Sequence, residues 1–575
     1  MKVKNILLLW LGFLASAAML TVIQAPISGS TLLTISWSAV AWAALVPFIL
    51  ACSPAAKPFP LALTAYLISL CYWLGNLYWI YPVTLLGWLA FCMYTALLWP
   101  MVALCLRYCR IKKIPLFLAA GILFVGAERL QGLFLGGFFW RFLAHSQYAN
   151  ITLIQIADIF GAAGVSFLIA MVNGLVAELI IAAGEKNIFK ITQFLKTALV
   201  CTALAATIIY GQWRLKQSSE FIEDGPLVAS VQTNVPQSVK KSHQASDVIL
   251  DGLLKNSNAC AEAGAELIVW PETMVQATLD KRVLRRLSPE YHCKTVDKTL
   301  REHSKETAFV LVGAYGGTPE IQEDFTLDLA ERYNSAFLYQ PDGRQSKKQY
   351  SKIHLVPFGE FVPFRKSFPL LYNLLMKFTP YDYDYTLDAG SEYTVFEMTG
   401  GQGQELRVYK FSVMICYEDA VPAIARRFAI ERPGQKRLDW LVNISNDGWF
   451  VRFKNGKVLP STELPQHAAI CVFRAVENRL AVLRSVNTGI SCLIDTLGHI
   501  HNGFIAGNLP QDAMARTGCA GWFVDRVTID KRTTFFSKYG QWLDFCCAIC
   551  LVSLIIVPPL RRFVRTKKYT TNLSG

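Results

Sequence analysis

The sequence predicts a polytopic α-helical membrane part of about eight transmembrane helices and a layered α/β domain held outside the cytoplasm. Three observations point there. Apolar residues cluster in long charge-free runs, basic residues gather between alternate runs, and the middle of the chain alternates short β-branched strands with amphipathic helices. The 575 residues are 53% hydrophobic and only 17% charged, against about 25% charge in an ordinary soluble domain. Mean hydropathy is +0.32. Disorder, collagen and a small disulfide scaffold are excluded. The length also exceeds the roughly 250–300 residues that one core organises.

No charge occurs in 5–24, 31–52 or 59–106. The third run is 48 residues long, enough for two crossings of about 20 residues each, broken near Tyr81-Pro82. Further apolar stretches at 114–127, 160–183, 197–213 and 545–560 complete seven spans, a long middle region and one final span. The first run is too long for a signal-peptide core and is expected to be retained. With a cytoplasmic N-terminus, the inside segments 1–4, 53–58, 107–113, 184–196 and 561–575 hold 15 basic residues and one acid, Glu185. That difference equals the whole net charge of +14. Such a positive-inside bias places both termini in the cytoplasm, and it explains a pI near 9.0 without a nucleic-acid partner. The expected organisation is a membrane domain at 1–213 with seven helices, an outer α/β domain at 214–540, and a final helix with a basic tail at 541–575.

Nine of the 15 cysteines lie in or beside the apolar segments, where they act as small apolar residues. The other six, Cys260, Cys293, Cys416, Cys471, Cys492 and Cys519, show no metal-ligand spacing. A disulfide such as Cys260–Cys293 stays open. No metal is expected.

From about Leu227 the texture changes. LVASVQTNV, ELIVWPE, AFVLVGAYGG, SAFLYQPDG, VYKFSVMICYE, WLVNISND, LAVLRSVNTGISCLI and GWFVDRVTI read as strands, with a QPDG hairpin turn at 340–343. Helical patterns at 247–263 and 465–478 lie between them, so helices should cover the sheet faces.

Three strand ends carry chemistry. Glu272 follows the apolar run of Trp270-Pro271, where partial burial would raise its proton affinity. Lys352 follows Tyr350-Ser351 and precedes His354 and the word LVPFGE, with Glu360 eight positions on; a cation there would hold developing negative charge. Cys416 ends the strand Val413-Met414-Ile415 and enters a turn with Tyr417 and Glu418, a place where an α/β fold exposes a nucleophile. Taken singly, a solvent-facing Glu or Lys and an inert buried Cys are the commoner cases. His354 has no identifiable partner and is expected to be structural.

Together, Glu272, Lys352 and Cys416 in this order resemble the triad of the nitrilase (carbon–nitrogen hydrolase) superfamily. The words WPE, LVPFGE and CYE, set between seven spans and one, resemble the apolipoprotein N-acyltransferase family over nearly the whole chain. VQTNVPQ, YNS, SNDGWF, RAVE and LRSVN are similar to family words. Two departures occur. Lys241 stands where the family usually has Trp, and the loop word resembling GFPW reads Gly137-Phe138-Phe139-Trp140, without its proline.

The resemblance implies an αββα sandwich and transfer of an acyl chain from a glycerophospholipid to the α-amino group of a diacylglyceryl-cysteine lipoprotein. It implies Cys416 as nucleophile, Glu272 as general base and Lys352 as oxyanion stabiliser, with Glu360, Tyr417 and Glu418 in support. Glu360 and Glu418 would either orient Lys352 or hold a local ion pair. Trp140, Trp449 and Phe450, with the aromatic segment 361–385, would bind or gate lipid. It further implies a monomer in the bacterial inner membrane, its catalytic domain periplasmic, working without a cofactor. A membrane-tethered amidase acting on a small amide would share the triad but gain nothing from eight spans. A transporter or receptor would need functional charges inside spans, and only Asp158 and Glu178, both near predicted span ends, come close.

Overall fold

The computed structural model describes residues 3–26, 37–240, 243–321, 327–365, 367–377, 379, 385–401, 406–432 and 435–571. Lys241, the start of the 31–52 run and parts of the 361–385 segment lie outside them.

Among the described residues, four helices are long and apolar enough to cross a membrane: Pro58–Asn76, Leu85–Ile111, Ala162–Gly184 and Ile191–Lys216. The 59–106 run breaks close to Tyr81-Pro82. A short turn, Tyr78–Ile80, follows the first of its helices, and Thr84 starts the next by accepting from the Gly87 N–H at 3.2 Å. Shorter apolar helices are Ile6–Val22, Ala39–Ala51, Ile151–Phe160 and Trp542–Val557. Leu116–Gln131 adds 16 residues and packs against both Ala162–Gly184 and the last helix. Close approach there depends on Gly126, where a Cβ would meet the Cys547 carbonyl oxygen at 2.6 Å.

The α/β part contains two six-stranded sheets. The first runs Gly521–Asp530, Ile222–Gln232, Leu267–Val269, Phe309–Ile321, Leu327–Tyr339, Gln345–Ser351. The second runs Ile500–His501, Cys492–Ile494, Ala481–Val486, Trp440–Ser445, Arg407–Ile415, Phe396–Gly400. Alternation within strands builds the layers, since successive side chains point to opposite faces. Leu267, Val269, Phe309 and Leu311 join the core shared with the second sheet. Ile268, Val310 and Val312 face outward onto Leu253 and Val296 of helices His243–Glu262 and His292–Glu306. Ser485 stitches the sheets by donating to the carbonyls of Val231 and Val269 at 3.2 and 2.9 Å. All the strand words of the sequence form strands. The QPDG turn closes its hairpin through the Gly343 N–H on the Gln340 carbonyl at 2.9 Å.

Helix Glu463–Asn478 is buried along its whole length, between the second sheet and the membrane-domain turns Leu143–Gln147 and Ala157–Phe160. The joint between the two halves is ionic. Asp158, 1% exposed, accepts from Tyr210 Oη at 2.7 Å, Arg214 Nε at 2.8 Å and Arg479 Nη2 at 2.7 Å. Its position near a span end therefore serves a buried ion pair rather than interfacial water. Glu178 pairs with Lys196 and accepts the Leu116 N–H at 3.0 Å. All fifteen thiols are free, Cys260 and Cys293 included.

Breaking a buried pair by removing one partner typically costs about 3–5 kcal/mol. Arg479→Met, which leaves Asp158 with Arg214 as its one cation and Tyr210 as its other donor, should lower the melting temperature of the purified protein clearly. An unchanged melt would show that this joint adds no stability.

Candidate active site

The fold delivers Glu272 and Cys416 from the ends of parallel strands in facing sheets. Leu267–Val269 runs parallel to Phe309–Ile321 and continues into Trp270, whose N–H donates to the Leu311 carbonyl at 2.9 Å. The next turn crosses directly over Gly313, where a Cβ would lie 2.6 Å from the Pro271 oxygen and 2.8 Å from Glu272 Cα. Only a glycine lets the backbone pass so close. Arg407–Ile415 runs parallel to Trp440–Ser445 and ends at Cys416, whose φ of +54° lies in the left-handed region. A residue with a β-carbon holds that conformation at a cost of about 1–3 kcal/mol. Asn443 Nδ2 steadies the turn by donating to the Cys416 carbonyl at 3.1 Å.

Lys352 sits between these ends, 1% exposed. Its Nζ donates to Glu360 at 2.8 Å and lies 3.7 Å from Glu272 Oε1. Burial works against the ammonium, but the charge of Glu360, with that of Glu272, outweighs it and holds Lys352 protonated above the ordinary lysine range. Asn334 donates through Nδ2 to Glu272 Oε1 at 2.6 Å and to Glu360 Oε1 at 3.1 Å. The Asn446 N–H donates to Glu272 Oε2 at 2.8 Å and the Val356 N–H to Glu360 Oε2 at 2.9 Å.

The two supporting carboxylates divide the options left open by the sequence. Glu360 is the ion-pair partner of Lys352. Glu418 instead accepts three backbone N–H groups, from Ile415 at 2.7 Å, Ile353 at 2.8 Å and His354 at 2.9 Å, together with Tyr350 Oη at 2.8 Å. It bolts the Cys416 turn to the chain that carries Lys352. The Cys416 thiol feels Glu272, Lys352, Asp447 and Glu360 electrostatically. Burial and then Glu272 push its proton affinity well above that of a free cysteine, Lys352 opposing them. At rest the sulfur is a thiol, next to a carboxylate able to take its proton and an ammonium able to face new negative charge.

Membrane-domain residues reach this turn. Tyr417 Oη accepts the Phe139 N–H at 2.7 Å and donates to the Gly137 carbonyl at 3.1 Å. The departure at Phe139 has a consequence here, because a proline would have no N–H to donate. Trp140 stacks on Tyr417 with ring centroids 6.3 Å apart, and its Nε1 donates to Gln466 Oε1 at 2.9 Å. Phe450 meets Trp79 edge-on at 4.9 Å, and Trp79 lies 5.7 Å from Trp140. Trp449 and Phe450 are both half-buried.

Several of these residues carry no sequence signal. Asn334 appears there only as part of a family word, and Trp79 is hidden within an apolar run. His354 does have neighbours: its ring lies 6.0 Å from Tyr417, and burial lowers its proton affinity. Lys240, just before Lys241, is buried beside Glu272 with its Nζ donating to Thr273 Oγ1 at 2.7 Å; burial pushes its pKa down to about 7. Asp447, Glu463 and His467 bring three possible metal-ligand atoms within 4.8 Å of one another. Each His467 nitrogen already faces a carboxylate, and a guanidinium, Arg484, shares Asp419 with it. The cluster is thus closed by its own ion pairs.

Tyr417→Phe would strand the buried Phe139 N–H, a loss of about 1–3 kcal/mol. A lower melting temperature is expected, and an unchanged one would detach Tyr417 from the membrane-domain loop.

The apolipoprotein N-acyltransferase N-terminal domain family model matches residues 9–175, and the carbon–nitrogen hydrolase model matches residues 227–508. Apolipoprotein N-acyltransferase from Geobacter metallireducens is 31% identical over 535 residues, covering 89% of each chain. Apolipoprotein N-acyltransferase 1 from Treponema denticola is 25% identical, covering 91% of this chain and 92% of its own. Among solved structures, a variant of the amidase from Nesterenkonia sp. AN1 covers 52% of this chain and 92% of its own at 15% identity and a TM-score of 0.32. With two domain models spanning most of its length and a relative matched nearly end to end, this chain belongs to the apolipoprotein N-acyltransferase family.

Proposed function

We infer how this membrane-bound bacterial N-acyltransferase performs the family's reaction, lipoprotein N-acylation with a phospholipid donor. The observation that carries the reading is the buried Lys352 ammonium, held by Glu360 and 3.7 Å from Glu272, in electrostatic contact with the Cys416 thiol. In the first half-reaction Glu272 removes the Cys416 proton and the sulfur attacks the sn-1 ester carbonyl of a glycerophospholipid. Lys352 and a backbone N–H near Tyr417 hold the tetrahedral oxyanion, each such donor contributing roughly 3–4 kcal/mol. The C–O bond then breaks, the lyso-phospholipid oxygen takes the proton from Glu272, and an acyl-thioester remains on Cys416. In the second half the α-amino group of a diacylglyceryl-cysteine attacks that thioester, Glu272 takes its proton, an amide forms and the thiol is restored. Exchanging an ester for an amide runs downhill, so the acyl donor itself drives the transfer.

The chain divides for this purpose into 1–213, 214–540 and 541–575, with eight spans, the catalytic domain on the periplasmic face of the inner membrane and both termini cytoplasmic. The four long apolar helices, the shorter ones beside them and the placement of basic residues support this arrangement. The half-buried Trp449 and Phe450 face lipid, with the buried Trp140 behind them, and this wall must keep water from the thioester. A monomer suffices, because all triad residues come from one chain.

Labelled phosphatidylethanolamine with a diacylated lipopeptide tests the reading: an acyl-amide product supports it, and release of ammonia from a small amide without acyl transfer supports an amidase instead. Cys416→Ser and Lys352→Met should each reduce product by at least about a hundredfold, and near-normal turnover in either removes that residue from its role. Glu272→Gln separates two effects of opposite sign. Removing the negative neighbour should lower the Cys416 proton affinity and speed its alkylation by iodoacetamide at a fixed pH near 8, while acyl transfer is lost. Slower alkylation would contradict the placement of Glu272 against the thiol.

A further inference from the structure

Behind the nucleophile turn lies a buried charge that the chemistry above does not use. His467, on helix Glu463–Asn478, is 2% exposed. Its Nε2 lies 2.7 Å from Asp419 Oδ1, in the turn Cys416–Ala420. Its Nδ1 lies 3.4 Å from Asp447 Oδ1, in the turn leading to Trp449 and Phe450, and 3.3 Å from Glu463 Oε1 on its own helix. The Trp140 ring from the membrane domain stands 5.4 Å from the imidazole, and the adjoining Gln466 accepts the Trp140 Nε1–H. Arg484, from strand Ala481–Val486, pairs with the other Asp419 oxygen, and the Cys471 thiol faces Asp419 and Arg484. Among the described residues these are the charged and titratable groups around the ring.

With carboxylates opposite both nitrogens, a neutral ring would set one lone pair against another. Burial opposes the charge on His467, but Asp419 and Asp447 outweigh it, Arg484 notwithstanding, and hold the ring protonated well above the ordinary histidine range. Asp419 and Asp447, despite their burial, are held below the usual carboxylate range, and His467 is the largest opposing cause for each. By the linkage sign, this contribution is present at and below neutral pH and fades only as pH rises through the raised folded value. The imidazolium is thus held across neutral pH, while the Glu463 carboxyl beside it is pushed up to about 7 by burial and by Asp447.

We propose that His467 is a positioning residue that locks three separate segments together: the Cys416–Ala420 turn, the 447–450 turn that carries Trp449 and Phe450, and the membrane-domain loop that ends in Trp140. The nucleophile, the lipid-facing aromatics and the membrane loop come from distant parts of the chain, and His467 is where their supports meet. Through Asp419 it fixes the left-handed Cys416 turn, and through Asp447 it fixes the residue electrostatically felt by the same thiol. The role rests on Cys416 as acyl carrier, and the experiment separates the two claims.

The full-length protein in nanodiscs is mixed with a phosphatidylethanolamine bearing a fluorescent sn-1 chain, and acyl-thioester formation on Cys416 is followed in a single turnover. His467→Gln should slow this step by about tenfold to a hundredfold, the scale of misplaced reacting groups, with the donor concentration for half-maximal rate changed less than about twofold. Because His467→Gln takes the ion-pair partner from the buried Asp447, while Asp419 keeps Arg484, the double variant Asp447→Asn/His467→Gln is measured beside it. The double variant should recover the wild-type melting temperature without recovering the rate. Recovery of both, or a wild-type rate in His467→Gln, overturns the positioning role while leaving the acyl carrier intact. No adduct on wild-type Cys416 would instead defeat the reading it rests on. A stoichiometric divalent cation in the purified protein, whose chelation reproduces the His467→Gln defect, would also overturn the proposal by putting a metal where the proton is assigned.

Discussion

A lysine ammonium sealed from water is the constraint around which this molecule is built. Desolvating a charge costs several kcal/mol, and Lys352 at 1% exposure recovers it only because Glu360 touches it and Glu272 stands 3.7 Å away. Those carboxylates need partners in turn, which Asn334 and the backbone of Val356 and Asn446 supply. Each further group is held by the fold: Gly313 admits the Glu272 turn, and Glu418 ties the Lys352 segment to the Cys416 turn. Such a site is preorganised. In the proposed mechanism the positive charge stands where an oxyanion would develop, so little reorganisation is needed when it forms.

The same geometry explains why the α/β part is not simply tethered to its helices. Tyr417, next to Cys416, bonds the backbone of the membrane-domain loop at Gly137 and Phe139. Trp140, Trp79 and Phe450 continue that contact as a chain of aromatic rings. On the other side Asp158 holds Arg479 and Arg214. Membrane part and catalytic part thus share a polar joint and an aromatic wall. Under the proposed mechanism aromatic rings serve such a wall well, being apolar towards lipid chains and able to exclude water from a reactive thioester.

Much of this was legible in the sequence. Glu272, Lys352 and Cys416 could be singled out because each ends a strand-like run, and a strand end is where a buried sheet presents a side chain. Most strands were legible from β-branched runs and turn residues such as QPDG, but the edge strands Gln345–Ser351, polar in sequence, and Phe396–Gly400, short, were not. Helix limits were less so. The run 197–213 lies inside helix Ile191–Lys216, because polar residues extend a helix beyond its apolar stretch. Asn334, Trp79 and His467 were not legible as parts of one site. Asn334 is one amide in a strand, Trp79 one ring in an apolar run, and the His467 cluster draws on Asp419, Asp447, Glu463 and Arg484 from four chain segments. Pairing across such separations exists only once two sheets face each other. Asp158 shows the same limit: its place near a span end could be read, its burial under two guanidiniums could not.

The most direct measurement is peptide mass spectrometry of the wild-type protein, quenched in acid after mixing with a phospholipid of defined acyl chains and no acceptor. One acyl group should be found on the peptide containing Cys416, labile to hydroxylamine and discharged when an α-amino lipopeptide is added. An acyl group on any other residue, or transfer to the lipopeptide with Cys416 never acylated, would contradict a buried ammonium, carboxylate and thiol acting as one catalytic unit.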